Sequence, residues 1–220
     1  INGALAAGVP GEPAALVHIA EHYGRLPLQV TLAPAIQAAR EGFAVDAIYR
    51  RMAGFRLQAL QASPAAAGQF LLDGDVPPLG HIIQQPDLAL TLEAIAAHGF
   101  DGFYRGPVAQ RLVEGSRAAG GIWTLQDLSG YQVVERDPVV GHYKDHKIVS
   151  AAPPSSGGVI LVQMLNMLEQ LELDGMDSPQ KVHHMTEVMR RAYEDRALYL
   201  GDTDFVSVPL ARLTSKAYAM

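Results

Sequence analysis

The pattern of apolar and polar positions predicts a mostly helical chain. An amphipathic helix is expected over residues 87–98, where Leu88, Leu92 and Ile95 share one face. Residues 159–171 are apolar on nearly every face, which predicts a helix that is buried on more than one side.

Capping and breaking residues predict where the other elements begin and end. The expected helices run from the turn at residues 8–13 to Tyr23, from about Pro34 to Gly42, from the cap Asp46 to about Leu60, from Pro107 to Gly120, and from the cap Ser178 to Gly201. Thr124 with Asp127 resembles a capping box. Residues 63–80 are typical of a loop, because prolines and glycines interrupt them.

Three short strands are expected late in the chain, over residues 131–135, 139–140 and 146–150. These elements predict an α+β fragment, a single partial domain over residues 1–220 whose sheet is completed elsewhere. The sequence does not begin with methionine, and Met220 lies in an unfinished helical pattern. We therefore expect a portion of a longer polypeptide.

A turn rich in proline, serine and glycine joins the last expected strand to the apolar helix. Ala152 opens it, two prolines follow, and Ser155, Ser156, Gly157 and Gly158 close it. Prolines stiffen a bend, serine is a common helix N-cap, and glycine lets backbone approach closely. Such a turn suits a catalytic elbow, an anion-binding cradle or a tight structural corner.

Spacing argues against two of these three roles. A nucleophile elbow needs G-x-S-x-G, but prolines precede Ser155 and Ser156. A phosphate-binding loop of the Walker type needs lysine after the glycines, where Val159 stands. A structural role is therefore favoured for the serines and for Gly157 and Gly158. The alternative is a place beside a site built by another part of the protein.

Composition limits the classes of function. The chain has 220 residues, of which 49% are hydrophobic and 18% charged, which is enough to form a core. A net charge of −6 without a basic run disfavours nucleic-acid binding, and no apolar stretch is long enough for a membrane span. The absence of cysteine excludes disulfides, thiolate metal ligands and cysteine nucleophiles.

One motif matches the spacing of a metallopeptidase helix. His18, Glu21 and His22 have the H-x-x-E-H pattern, in which two histidines share a metal and the glutamate activates water. A helical projection places them opposite an expected apolar face formed by Leu16, Ile19, Ala20 and Tyr23. A solvated polar face is therefore favoured, and a metallopeptidase site remains the alternative.

Other polar clusters are weaker candidates, and no metal or cofactor is expected. His183 and His184 are adjacent and point about 100° apart on a helix, so they do not chelate one ion. The acidic residues at 202 and 204 lack the glycine and glutamate of a calcium loop. Asp195 and Arg196 suit either a buried pair or a subunit contact.

Several short motifs occur in one order along the whole chain, and together they carry a family resemblance. They lie at residues 8–11, 23–27, 32–35, 41–43, 85–92, 103–106, 120–121, 127–128, 153–158 and 192–202. The sequence resembles the central and late portion of the large subunit of gamma-glutamyltransferase, also called gamma-glutamyltranspeptidase. It departs from the family at Ala152, where a third proline is usual, and at Gly80-His81, where Gly-Asp is usual.

The resemblance implies an N-terminal-nucleophile hydrolase fold, which is a four-layer αββα sandwich. It also implies a precursor, or zymogen, that cleaves itself into the two subunits of a heterodimer. The new N-terminal threonine of the small subunit then attacks a γ-glutamyl amide such as glutathione, with its own amine as base. Backbone donors stabilise the oxyanion, and the acyl group passes to water or an amino acid.

The resemblance places none of the catalytic or substrate-binding residues in this sequence. It implies a nucleophile beyond Met220 and a substrate-binding arginine before Ile1. The implied partner is the small catalytic subunit, and the implied location is periplasmic or secreted. Two alternatives remain: a cephalosporin-acylase-type amidase of the same fold, and a non-catalytic helical scaffold fragment.

Overall fold

The computed structural model describes residues 3–219, and these form two compact units. The first unit ends at Val133 and the second begins at Val134. Helices dominate both units, and the named strands of the described residues form two separate antiparallel pairs. The mostly helical character is thereby confirmed, while the single partial domain over residues 1–220 stays a prediction. None of the helices described has the length and apolar character that crossing a membrane requires.

The first unit consists of helices and one short strand pair. Its helices are α1 (Glu12–His22), α2 (Leu28–Glu41), α3 (Ala47–Phe55), α4 (Leu57–Gln61), α5 (Pro64–Phe70), α6 (Pro86–His98), α7 (Phe100–Tyr104), α8 (Gly106–Ala118) and α9 (Leu125–Ser129). Strands β1 (Phe43–Ala44) and β2 (Ile82–Ile83) pair antiparallel. Helix α2 packs along α6, and α7 contacts α1, α6, α8 and α9.

Tyr104 lies at the centre of the first unit's core, where 1% of its surface is exposed. Its hydroxyl donates to the carbonyl of Pro10 at 2.5 Å and accepts the N–H of Ala14 at 3.1 Å. Its ring stacks between those of Phe100 and Tyr131, with centroids 4.4 and 5.6 Å away. Burial raises the pKa of Tyr104, so the phenol stays neutral and can donate.

Trp123, the one tryptophan in the sequence, connects the start of the described chain to α8. Its indole Nε1 donates to the carbonyl of Ala7 at 3.2 Å. Its own carbonyl accepts from Arg117 Nε at 3.0 Å. The segment that holds the 3₁₀ turn Ala4–Ala6 is thereby attached to the first unit.

Helix α2 begins earlier than its sequence predicts. Pro27 is the N-cap, and Pro34, expected at the first turn, lies inside the helix. Packing of α2 along α6 accounts for its continuation through a residue that usually ends a helix. The predicted end at Gly42, which has φ 85°, is confirmed.

Residues 46–80 contain more helix breaks and more helix than expected. The cap at Asp46 is confirmed, since its carboxylate accepts from Tyr49 N at 2.7 Å. The helix it starts ends at Phe55, and α4 begins as a separate helix after Arg56. The prediction of a loop over residues 63–80 was wrong at its start, because Ser63 caps α5 by accepting from Ala66 N.

The capping box at α9 is confirmed, with Thr124 N donating to Asp127 Oδ2 at 2.7 Å and Thr124 Oγ1 accepting from Asp127 N. The Thr124 hydroxyl, which donates to Asp127 Oδ2 at 2.8 Å, and the Thr124 N–H lower the pKa of Asp127, which favours the ionised carboxylate. The expected strand over residues 131–135 is absent, since that stretch has no ladder partner among residues 3–219. Instead the Tyr131 ring packs on Tyr104, and its hydroxyl lies against Gly11.

The second unit is a hairpin packed on one buried helix. Its elements are β3 (Val139–Tyr143), β4 (His146–Ser150), α10 (Gly157–Leu168), α11 (Ser178–Tyr199) and α12 (Leu210–Leu213), with 3₁₀ turns at Leu173–Gly175 and Ala217–Ala219. The β3–β4 ladder runs from Val139↔Ser150 to Tyr143↔His146. Gly141 lets the hairpin approach α10, because a Cβ there would lie 2.6 Å from a methyl of Val162.

Helix α11 differs from the prediction at its start and in its ion pairs. Its cap is Asp177, which forms a capping box with Gln180, rather than Ser178. Glu187 pairs with Arg190 at 3.1 Å, whereas its i,i+4 spacing predicts a pair with Arg191, the next residue along the chain. Arg190 and Glu194 also have i,i+4 spacing, which predicts a pair, and this contact is present at 4.0 Å. These exposed pairs contribute little to stability.

Candidate functional site

The turn between β4 and α10 is held by backbone and by its own serines. Ser155 N donates to the carbonyl of Ala152 at 3.2 Å, and Ser155 Oγ accepts from Gly157 N at 3.3 Å. Ser156 occupies the N-cap position without a side-chain capping bond, and its Oγ accepts from Arg196 Nε at 3.2 Å. The Ser155 hydroxyl therefore connects the turn to the start of α10, and the Ser156 hydroxyl connects it to α11.

Neither serine has the surroundings of an activated nucleophile. The side chain that contacts Ser156 is a guanidinium, which only donates hydrogen bonds and cannot remove a proton. Within residues 3–219, no histidine or carboxylate hydrogen-bonds to either serine hydroxyl. The geometry argues for a structural corner, in keeping with the role favoured by spacing for Ser155, Ser156, Gly157 and Gly158.

The two glycines of the turn differ sharply in the space around them. A Cβ on Gly158 would lie 2.2 Å from the carbonyl oxygen of Ala151, far inside contact distance. A Cβ on Gly157 would meet only Ser155 Oγ, at 3.5 Å. The end of β4 and the first turn of α10 therefore approach each other through Gly158.

The H-x-x-E-H helix α1 buries a different face from the one that its sequence pattern predicts. Its buried side chains are Ala14 and Val17, which face α7, whereas Leu16, Ile19 and Tyr23 of the expected apolar face are exposed. The His18 and His22 rings stack at 4.1 Å, and His22 Nδ1 lies 3.0 Å from the carbonyl of His18. No group of three or more potential metal ligands occurs anywhere from residue 3 to 219.

The acidic turn after α11 contains Asp202 and Asp204, and Asp204 forms an ion pair. Asp204 Oδ1 accepts from Arg136 at 2.6 Å, and Asp202 Oδ1 accepts from Asp204 N at 3.0 Å. Both carboxylates therefore make contacts inside the second unit.

Two polar side chains of α10 are buried, although the apolar pattern of the helix does not predict their partners. Gln163 and Asn166 are 3% and 2% exposed on an otherwise apolar helix. Gln163 Nε2 donates to Asp195 Oδ2, while Asp195 Oδ1 accepts from the hydroxyl of Tyr218 at 3.1 Å. Asp195 thus bonds to these two residues and not, within residues 3–219, to Arg196. The available signal was an amide pair spaced i, i+3 within an apolar run.

Comparison with known proteins identifies the family. The model of the family described as Gamma-glutamyltranspeptidase matches residues 1–220. The chain is 41% identical to a glutathione hydrolase proenzyme of Pseudomonas sp. strain A14, over 99% of this chain and 38% of that protein. It is 36% identical to the Acylase ACY 1 proenzyme of Pseudomonas sp. strain SE83, over 100% of this chain and 40% of that protein.

The fold agrees with a crystal structure of Helicobacter pylori gamma-glutamyltranspeptidase. The TM-score is 0.95 at 39% identity, over 99% of this chain and 63% of that one. The fold class expected from the resemblance, an N-terminal-nucleophile hydrolase αββα sandwich represented by a mostly helical portion, is confirmed. The chain spans about two fifths of the two proenzymes it resembles.

Proposed function

The chain belongs to the gamma-glutamyltranspeptidase family, and from that premise we propose that it is the scaffolding portion of a self-processing γ-glutamyl acyl-transfer enzyme. The observation that carries the proposal is the match to the family over residues 1–220, together with the structural agreement with gamma-glutamyltranspeptidase. The proposed substrate is glutathione or another γ-glutamyl amide. The proposed partner is a small catalytic subunit made from the same precursor.

In this proposal the chemistry uses an N-terminal threonine outside the sequence. The threonine hydroxyl attacks the γ-glutamyl carbonyl, and the α-amine of the same residue takes the proton. The leaving amine departs, and water or an amino acid then accepts the γ-glutamyl group. Backbone N–H donors aimed at the developing oxyanion lower the barrier. Residues of this chain support that site and do not perform the chemistry.

The polar groups of the described residues support this division of labour. Ser155 and Ser156 lack a base, and the histidines of α1 lack a third ligand within residues 3–219. No cofactor is needed for acyl transfer by an activated hydroxyl.

Exposed apolar side chains support a partner that covers this chain. Helix α11 carries an outer stripe with helical spacing, whose members are Val182, Met185, Met189 and Tyr193. Their exposed fractions lie between 44% and 67%. Apolar side chains that recur on one exposed face are typical of an interface.

The proposal is tested with the full-length protein. We expect it to cleave itself into two chains and then to release the anilide from a γ-glutamyl anilide. Self-cleavage without turnover of that substrate would contradict the transferase assignment. A single uncleaved chain that remains inactive would contradict the self-processing mechanism and favour a non-catalytic scaffold.

An acylase is the second candidate, because this chain is 36% identical over its own full length to a part of the Acylase ACY 1 proenzyme. A cephalosporin-acylase-type amidase would use the same threonine chemistry on a different amide. Parallel assays with a γ-glutamyl anilide and a cephalosporin side-chain amide discriminate between the two. Preference for the second substrate would overturn the first assignment.

We further propose a periplasmic or secreted location, which is supported by the family resemblance alone. Fractionation of producing cells checks it, and recovery of the mature enzyme only in the cytoplasmic fraction would contradict it.

Replacing Ser155 or Ser156 with alanine is expected to impair folding or maturation more than the chemical step. Ser155→Ala removes the hydroxyl that accepts from Gly157 N at the start of α10, and losing a bond of this kind costs about 0.5–2 kcal/mol. Ser156→Ala removes the acceptor of Arg196 Nε, which connects the turn to α11. The yield of cleaved protein and the kcat of its purified fraction check this result. Ser207→Ala, at an exposed position, is the control. Normal maturation with abolished turnover would refute the structural role.

A further inference from the structure

Helix α12 and the residues that follow it are attached to α10 and α11 by directed polar bonds. Asn166 Nδ2 donates to the carbonyl of Thr214 at 2.9 Å, and the hydroxyl of Tyr218 donates to Asp195 at 3.1 Å. Lys216 Nζ lies 2.5 Å from Glu169 Oε2. Three side chains on or just after the two helices thus bind three successive parts of residues 210–219, which we call the anchored segment.

Aromatic and apolar contacts complete this attachment. The guanidinium of Arg212 lies 4.6 Å from the centroid of the Tyr218 ring and 5.5 Å from that of Tyr199. Leu213 is 1% exposed and belongs to the core of Val139, Val159 and Val162. Apolar burial alone would keep the anchored segment on the unit, but such burial is not directional.

Stability alone does not explain why Gln163 and Asn166 occupy buried positions of α10. A buried polar group on an apolar helix is stable only when its hydrogen bonds are made, and an apolar residue of similar shape often stabilises a core equally well. Asn166 and Gln163 make such bonds, directly to the anchored segment or through Asp195. Bonds of this kind fix the rotation and register of the anchored segment on α10.

Glu169, which follows α10, adds a further contact to the anchored segment. Its Oε1 accepts from Lys144 N at 2.9 Å, while Oε2 pairs with Lys216. These two contacts lower the pKa of Glu169, Lys216 having the larger effect, so the carboxylate is ionised at neutral pH. One side chain thus connects the β3–β4 turn to the anchored segment.

We infer that Asn166, Asp195 and Tyr218 are positioning residues for self-cleavage, because they fix the direction in which the precursor chain leaves the second unit. The inference rests on the proposed function, in which the nucleophile lies on the C-terminal side of Met220. A reacting group must sit within a fraction of an ångström of its productive position, and a displacement of about 1 Å can cost a hundredfold in rate. An anchor with a fixed register limits such displacement in the uncleaved chain.

The test uses the full-length precursor with Asn166→Leu and Tyr218→Phe. The first variant replaces the amide by an apolar group of similar size, and the second removes one oxygen and keeps the ring over Arg212. We expect the first-order rate constant of self-cleavage to fall at least about tenfold in each, since misplacement of this kind slows reaction steeply. We expect kcat of the fully cleaved enzyme to stay within about twofold of wild type, because the anchor acts before the mature site exists.

Ile160→Val is the matched control, since it removes a buried methyl from α10 away from the anchored segment. It should cleave at the wild-type rate, and the thermal midpoints of all uncleaved precursors, measured with the junction threonine changed to alanine, should be similar. Wild-type cleavage rates in both test variants would overturn the inference, as would equal slowing in Ile160→Val. Should Asn166→Leu fail to fold, Tyr218→Phe decides. A wild-type precursor that never cleaves would overturn the proposed function and this inference with it.

Discussion

Replacing Gly158 with alanine is expected to destabilise the second unit strongly. The new Cβ would lie 2.2 Å from the carbonyl oxygen of Ala151, which belongs to the backbone and cannot rotate away. Overpacking that forces backbone shifts costs about 1–3 kcal/mol and sometimes more, and this contact belongs at the upper end. Soluble yield and the thermal midpoint of the full-length protein measure the effect.

Gly157→Ala is the control, one residue away in the same turn. Its Cβ would meet only Ser155 Oγ at an ordinary contact distance of 3.5 Å. Because alanine restricts the unfolded chain more than glycine does, this variant should be neutral or stabilised by about 0.4–1 kcal/mol. Equal thermal midpoints for the two variants would show that α10 does not approach β4 through Gly158.

Replacing Tyr104 with phenylalanine is expected to destabilise the first unit by about 1–3 kcal/mol, because the loss of one hydroxyl leaves one buried and one partly buried backbone group without this partner. These are the carbonyl of Pro10 and the N–H of Ala14, both bonded to the Tyr104 oxygen. The ring and its stacking on Phe100 and Tyr131 are kept, so the effect isolates the hydroxyl. Chemical denaturation of the full-length protein measures the free energy of unfolding.

Tyr193→Phe provides the comparison for Tyr104→Phe. Tyr193 is 55% exposed on α11, so removal of its hydroxyl should change the free energy of unfolding by less than about 0.5 kcal/mol. If the two variants are equally stable, the bonds to Pro10 and Ala14 contribute no net stability.

Short-range sequence patterns predicted the ends of helices where a capping residue sets the end. Asp46 caps α3, Thr124 and Asp127 form their box, and Gly99 follows α6, each as a short-range pattern predicts. Predictions were wrong where packing between distant elements decided the outcome. Pro34 lies inside α2, which packs along α6. The cap of α11 is a local exception, since Asp177 forms a capping box with Gln180 where Ser178 was expected.

The face of α1 shows why amphipathic patterns can mislead in a chain that spans part of its relatives. Periodicity selected Leu16, Ile19 and Tyr23 as the buried face, whereas Ala14 and Val17 are buried. Small side chains let α1 approach α7, and the larger apolar ones are exposed. Hydrophobicity indicates which side chains favour burial, but it does not identify the element that buries them.

For the candidate site, sequence spacing was enough to exclude a serine elbow and a phosphate loop at the turn before α10. It could not reveal the network of Gln163, Asp195 and Tyr218, since these residues are separated by 32 and 23 positions and meet only in the fold. The roles of Ser155, Ser156, Gly157 and Gly158 stay predictions until their variants are measured.

Trp123, whose indole is bonded to Ala7, makes the fluorescence of the first unit differ from that of the second. It is the only strong fluorophore excited at the red edge of protein absorption, whereas the second unit contains tyrosines alone. Emission from this chain therefore reports the solvation of one unit and is silent about the other. A difference between the fluorescence and far-ultraviolet circular dichroism transitions would reveal whether the two units lose their structure together or in sequence.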